Sequence, residues 1–137
     1  MNRLRRFVLG DPVAVGPELW LQGTDGFFYG TGFGGGAGRY GTVFRIDSTG
    51  NAEPLVQFGG DNGANPSDLI QGRDGSLYGT ASGRVFKLTP DGRYSAYVFD
   101  STDGSTNGHL VESVDGTLYG VTCCGRYGSG SIFRITF

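Results

Sequence analysis

The chain has 137 residues, a formal net charge of −2, 37% hydrophobic and 13% aromatic residues, and 27 glycines. That apolar and aromatic content excludes a disordered chain, and the lack of a strict Gly-X-Y period excludes a collagen-like one. The slightly acidic balance gives no electrostatic footprint for nucleic acid, and no apolar run approaches the roughly 20 residues of a membrane span.

In chain order, the first feature is a basic start, with Arg3, Arg5 and Arg6 ahead of Phe7-Val8-Leu9. The apolar run is too short for a signal peptide, so Arg5–Leu9 reads as an edge strand guarded by charge. A cassette follows, WLQGTDGFFYGT at Trp20–Thr31, and it recurs as LIQGRDGSLYGT at Leu69–Thr80 and LVESVDGTLYGV at Leu110–Val121. Each copy leads through a loop to a second shared string: TVFRID from Thr42, RVFKLT from Arg84 and SIFRIT from Ser131. The steps between copies are 49 and 41 residues, in the range of repeats built from one stacked supersecondary unit.

Each unit reads as four short strands. The first is the LWLQ, DLIQ or HLVE run, closed by an Asp-Gly turn at Asp25, Asp74 or Asp115. The second is FFYGT, SLYGT or TLYGV, and the third is TVFRI, RVFKL or SIFRI after a variable surface loop. A further turn leads to the fourth, PLVQF or SAYVF. No segment sustains apolar residues at helical spacing, so helix is not expected. Four strands per repeat of 40–50 residues predict an all-β chain of β-propeller blades. The units run over about 17–65, 66–107 and 108–137, with residues 1–16 as a leading fourth strand and loop.

The phase predicts an assembly. Leu9, Phe58 and Phe99 each stand 16 residues before an Asp-Gly turn, so Arg5–Leu9 aligns with the fourth strands, while the last unit stops after its third. The leading strand is thus able to complete the last blade and remove an open edge. Three blades are too few for a ring of about four to eight, so the expected partner is a second copy, giving a six-bladed homodimer.

Candidate binding residues lie in the loops. GGDNGANP (Gly59–Pro66) and DSTDGSTNG (Asp100–Gly108) set Asp61, Asn62, Asn65, Asp100, Asp103 and Asn107 among small residues. They read first as caps of Asx turns, and second as oxygen donors to a calcium ion or to sugar hydroxyls. GRYG occurs at Gly38–Gly41 and Gly125–Gly128, where Arg39–Tyr40 and Arg126–Tyr127 offer a cation and a ring to a ligand. The glycine-rich Gly30–Thr42 stretch has no Gly-Lys-Ser/Thr ending and no following helix, so it is not a phosphate loop. His109 is the one histidine, and without an evident partner it predicts no catalytic triad or metal centre. Cys123 and Cys124 are adjacent, and either a vicinal disulfide or two thiols fits. No cofactor is called for.

At Trp20–Thr31, Gly32–Gly41, Thr42–Asp47 and Val56–Pro66, and again at Leu69–Ala81, Val85–Gly92, Leu110–Val121 and Ile132–Thr136, the sequence resembles the GloVer (Gloeo_Verruco) tandem-repeat family. That resemblance implies a propeller-like fold and an extracellular or cell-surface bacterial location. The chain departs from it in its few units and in its lack of an export signal or anchor. The resemblance brings no established catalytic residues to these positions. The expected function is a non-catalytic module that self-associates and binds a ligand or surface polymer such as a carbohydrate. The alternatives are a propeller lyase or hydrolase with its site at the axial channel, and a structural module or part of a longer propeller.

Overall fold

The computed structural model describes residues 1–100, 103–106, 108–124 and 128–137. Among these residues there is no helix, and the strands form three antiparallel sheets. The chain divides into two compact units, Met1–Pro66 and Ser67–Phe137. The first holds one sheet, of β1 (Val15–Gln22), β2 (Phe28–Gly34), β3 (Thr42–Ile46) and β4 (Ala52–Gln57), in that order. The second holds a four-stranded sheet of β5 (Asp68–Gln71), β6 (Leu77–Ala81), β7 (Arg84–Leu88) and β8 (Tyr94–Val98). It also holds a three-stranded sheet of β9 (Val111–Glu112), β10 (Leu118–Thr122) and β11 (Ser131–Ile135). The order within each sheet follows the chain, as hairpin-connected blades require.

One turn design connects the strands. In Gly23–Phe27 the outer residues close a backbone bond, Gly26 N–H donates to Gly23 C=O, and Gly26 sits at φ +88°. Gly72–Ser76 and Ser113–Thr117 repeat it, with Gly75 and Gly116 at φ +82° and +86°. The Asp-Gly pair therefore marks a longer loop with a left-handed glycine, not a two-residue hairpin turn. The Asp carboxylate accepts the N–H two residues on, from Phe27, Ser76 or Thr117.

The Tyr-Gly pair has a packing cause. Gly30, Gly79 and Gly120 lie directly across from Phe44, Phe86 and Phe133 on the neighbouring strand. A Cβ on Gly30 would stand 2.8 Å from the Phe44 ring, and one on Gly79 would stand 2.5 Å from the Asp68 carbonyl oxygen. The glycine leaves room for the third-strand ring to lie flat on the second strand. Phe44 and Phe86 are thereby almost fully buried. Val13, Ala14, Phe44 and Ile46 form the core of the first unit, joined by Phe7, Phe28 and Ala52. Tyr78, Val85, Leu110 and Leu118 form that of the second, joined by Ile70, Phe99, Phe133 and Ile135.

Three details differ from the sequence expectation. Arg5–Leu9 is not a strand, because no neighbouring strand offers it a ladder in the chain. It runs over the face of its own unit instead, where Phe7 meets Phe44 at a ring distance of 5.7 Å and Arg5 pairs with buried Asp11 at 3.1 Å. Strand β1 contains a bulge between Leu19 and Leu21, so Trp20 is an extra residue, held by its indole N–H on the Thr31 hydroxyl at 2.8 Å. The HLVE run forms a ladder only at Val111–Glu112.

Candidate functional site

The polar residues of the loops are mostly spent on shaping them. In the first unit, Asn62 accepts the Gly59 N–H at 2.8 Å and donates its amide to the Gln57 carbonyl at 3.1 Å. Asn65 occupies the left-handed region at φ +50°, and its N–H donates to the Tyr40 carbonyl at 2.7 Å. Tyr40 is half exposed and its ring stands over Gly60. Arg39, at φ +62°, lines a cavity of about 490 Å³ with Leu9, Gly10, Val15 and Gly34 to Gly36. The structure therefore brings Arg39, Tyr40, Asn62 and Asn65 into two touching loops, with Asp61 exposed at the tip of the second.

In the second unit, Asp100 and Asp103 cap one another, each carboxylate accepting the other's N–H at 3.1 Å. Asn107, Arg126 and Tyr127 lie outside the described residues. Among the described residues no group of three His, Cys, Asp or Glu side chains converges as a metal site would require. Cys123 and Cys124 carry free thiols. Cys123 forms a bridge with Ser105 through paired backbone bonds of 2.8 and 3.0 Å, while Cys124 is exposed at φ +63°. A hydrogen bond to the Cys123 thiol raises the pKa of Cys124.

The most constrained polar contact involves a residue that the repeat pattern hides. Asp68, at the head of β5, is almost fully buried, and its carboxylate accepts the Leu110 N–H at 2.7 Å and faces His109 Nδ1 at 3.1 Å. The His109 side chain is 77% exposed. A buried carboxylate thus orients an imidazole that reaches solvent. Glu18 and Asp68 hold the same register position, opposite Thr31 and Thr80, and His109 is the matching residue of the third repeat, two residues ahead of β9. No shared residue type marks the position in the sequence, and Asp68 meets a partner 41 residues away.

A second polar network does repeat. The Asp-Gly aspartate accepts the hydroxyl of the tyrosine four residues on: Asp25 from Tyr29, and Asp74 from Tyr78 at 2.7 Å. Each tyrosine stands across from a basic residue of the third strand, as Tyr29 with Arg45, Tyr78 with Lys87 and Tyr119 with Arg134. Lys87 Nζ reaches Asp74 at 3.3 Å and stands 5.5 Å from the centre of the Tyr78 ring. Burial, and then the aspartate, raises both tyrosine pKa values. Burial works against ionised Asp74, but the Tyr78 hydroxyl, the Ser76 N–H and Lys87 outweigh it and hold the carboxyl below its usual range. Tyr78 bonding raises Lys87. This network opens on a charged cleft of about 340 Å³ lined by Arg73, Asp74, Lys87, Glu112 and Asp115. Arg73 clamps the cleft, donating its N–H to the Glu112 carboxylate and its guanidinium to the Val114 carbonyl. The signal for it was D-G-x-x-Y-G with a basic residue in the third strand.

The model of the Gloeobacter/Verrucomicrobia repeat matches residues 7–137. The chain belongs to this family. No curated protein matches the sequence. Among solved structures, the chain is similar to a streptogramin B lyase (16% identity, TM-score 0.58), covering 88% of this chain and 41% of that one. It is similar to the virginiamycin B lyase of Staphylococcus aureus at 16% identity and a TM-score of 0.58, covering 88% and 42%. A catalytically inactive form of that lyase with quinupristin gives 16% identity and a TM-score of 0.57, covering 93% and 42%. The chain thus spans about two fifths of the length of the structures it resembles. At this identity the likeness concerns fold: the Gloeobacter/Verrucomicrobia repeat builds sheets of the β-propeller kind. Among the described residues no helix is long and apolar enough to cross a membrane.

Proposed function

We propose that this repeat chain is a non-catalytic β-propeller module that self-associates, as a dimer, and offers its loops to a ligand or surface polymer, carbohydrate included. The observation that supports a propeller module is the four-stranded antiparallel sheet, built once as β1–β4 and again as β5–β8, in a chain that belongs to the Gloeobacter/Verrucomicrobia repeat family. The loop aspartates and asparagines engaged as turn caps supply shape and hydrogen-bonding groups, not a reactive cluster. Light scattering on a size-exclusion column tests the assembly, with a mass near twice 14.5 kDa expected. Calorimetry against a glycan panel tests the ligand. Heat that disappears in Tyr40→Ala supports a loop site, and an absence of heat across the panel removes carbohydrate.

A second reading, a lyase or hydrolase, is favoured by the Asp68–His109 pair alone. Its test is turnover of quinupristin and of a glycan panel by the wild type and by His109→Gln. Activity lost in the variant at unchanged circular dichroism would establish the enzyme, and none in either protein would reject it.

A further inference from the structure

The third repeat differs in kind from the other two just where its second strand ends. Four and five residues after Tyr29, Tyr78 and Tyr119 stand Phe33–Gly34, Ser82–Gly83 and Cys123–Cys124. In the second repeat the later position is left-handed, with Gly83 at φ +66°, and Cys124 holds the same conformation at φ +63°. Glycine adopts that conformation freely, whereas a Cβ strains it. A cysteine thus occupies a position shaped for glycine, directly beside a second cysteine. Strain retained at such a residue points toward a use of its side chain.

The backbone under the pair is fixed. Cys123 exchanges backbone hydrogen bonds of 2.8 and 3.0 Å with Ser105. Gly130, at φ +92°, also closes on it: a Cβ there would collide with the Thr122 carbonyl oxygen and stand 3.4 Å from the Cys123 Cα. Both thiols are free, Cys123 half-buried and Cys124 exposed, and they are hydrogen-bonded to one another. Two sulfurs are therefore held in contact at the surface of the second unit.

Three kinds of thiol chemistry fit this pair poorly. A disulfide would close between Cα atoms about 3.8 Å apart, short of the roughly 4.4 Å at which ordinary disulfides begin, so its ring is strained and readily reduced. Zinc takes four ligands, and among the described residues no group of three His, Cys, Asp or Glu includes the pair. Thiolate attack is disfavoured as well, because the hydrogen bond to Cys123 raises the Cys124 pKa and keeps that thiol protonated. A centre that takes two sulfurs on one side, at roughly a right angle, meets none of these obstacles. It sits between the sulfurs and lets them stay farther apart than a disulfide does. Pyramidal trivalent arsenic is such a centre.

We propose that Cys123 and Cys124 form a dithiol clamp for trivalent arsenic, as arsenite or an organic arsenoxide. With an arsenoxide, the two thiols condense with the arsenic–oxygen group. Two S–As bonds form, the bond from arsenic to oxygen breaks, and both thiol protons leave with the oxygen as water. Arsenic stays trivalent and neither sulfur is oxidised. The second sulfur binds a centre that the first already holds, so capture gains an effective concentration that a single thiol lacks. The clamp lies within the second unit and is independent of the self-association and the loop ligand proposed above.

The test is titration of the full, reduced chain with phenylarsine oxide, read by intact mass and by a thiol count. One arsenical per chain is expected, with both thiols lost together. Dithiothreitol should release it, and the same concentration of a monothiol should not. Cys123→Ser and Cys124→Ser are each expected to bind at least about a hundredfold more weakly. Cys124→Gly removes the thiol and relaxes the left-handed position, so the same loss is expected in a chain that melts no lower than wild type. Circular dichroism checks that each variant folds. Undiminished binding in either single-cysteine chain would overturn the clamp, because one sulfur would then suffice. No adduct in a wild type whose two thiols both titrate would overturn it equally.

Discussion

Replacement of Asp68 by alanine is the sharpest test of how the sheets of the second unit are held together. The carboxylate is almost fully buried and accepts the N–H of Leu110, itself 4% exposed. Without it, that donor is left buried and unpaired. A hydrogen bond to a charged acceptor is worth about 1.5–3 kcal/mol and an orphaned buried donor costs a similar amount, so Asp68→Ala is expected to destabilise by about 3 kcal/mol. Asp68→Asn keeps an amide oxygen for Leu110 and loses only the charge, for an expected cost of about 1 kcal/mol. His109→Ala removes a side chain that is 77% exposed, and contacts of that exposure contribute below about 0.5 kcal/mol. For a chain of this length each kcal/mol moves Tm by about 4 °C, giving shifts of about 12, 4 and under 2 °C. Thermal and urea melts followed by circular dichroism measure all three. Equal losses from His109→Ala and Asp68→Ala, or an alanine variant of Asp68 within about 1 kcal/mol of wild type, would refute the backbone latch.

Gly79→Ala forces a Cβ against the Asp68 carbonyl and the Phe86 ring, so a loss of about 3 kcal/mol or failure to fold is expected; wild-type melting would refute the packing role of the Tyr-Gly pair. Asp115 is held at about 2, against an ordinary 3.8, first by the Ser113 hydroxyl and then by the Thr117 N–H. Its contribution to stability is therefore present above 3.8 and fades as pH falls toward 2. Carboxyl NMR titration should show the midpoint rising toward 3.8 in Ser113→Ala, and an unmoved midpoint would reject the assignment. Tyr78 has a pKa raised above 10.0 by burial and then by Asp74. The folded chain thus holds this proton more tightly than the unfolded one, and the gain is full below pH 10 and lost as pH rises through the folded value. Tyr78→Phe is expected to cost about 1 kcal/mol at pH 7 and to flatten the decline above pH 10, which melts at pH 7 to 11 would show or refute.

The strands were legible because the period-2 runs and the Asp-Gly loops repeat three times. The TVFRI and RVFKL runs became β3 and β7 without a residue's shift. What a linear pattern could not carry was pairing. Arg5–Leu9 has the composition of a strand, but a ladder needs a neighbour that the single chain does not place beside it. The bulge at Trp20 depends on the indole finding Thr31 across the hairpin. Asp25 and Asp74 were read as turn formers, which they are, while their bonds to Tyr29 and Tyr78 appear only once the hairpin closes. Asp68 escaped notice because the equivalent positions carry Glu18 and His109, and its partners lie in the next repeat, just ahead of β9.

Light scattering of the wild-type chain across a range of concentrations tests the proposed self-association most directly. A species near twice 14.5 kDa is the predicted result. A single species near 14.5 kDa at every concentration would contradict it.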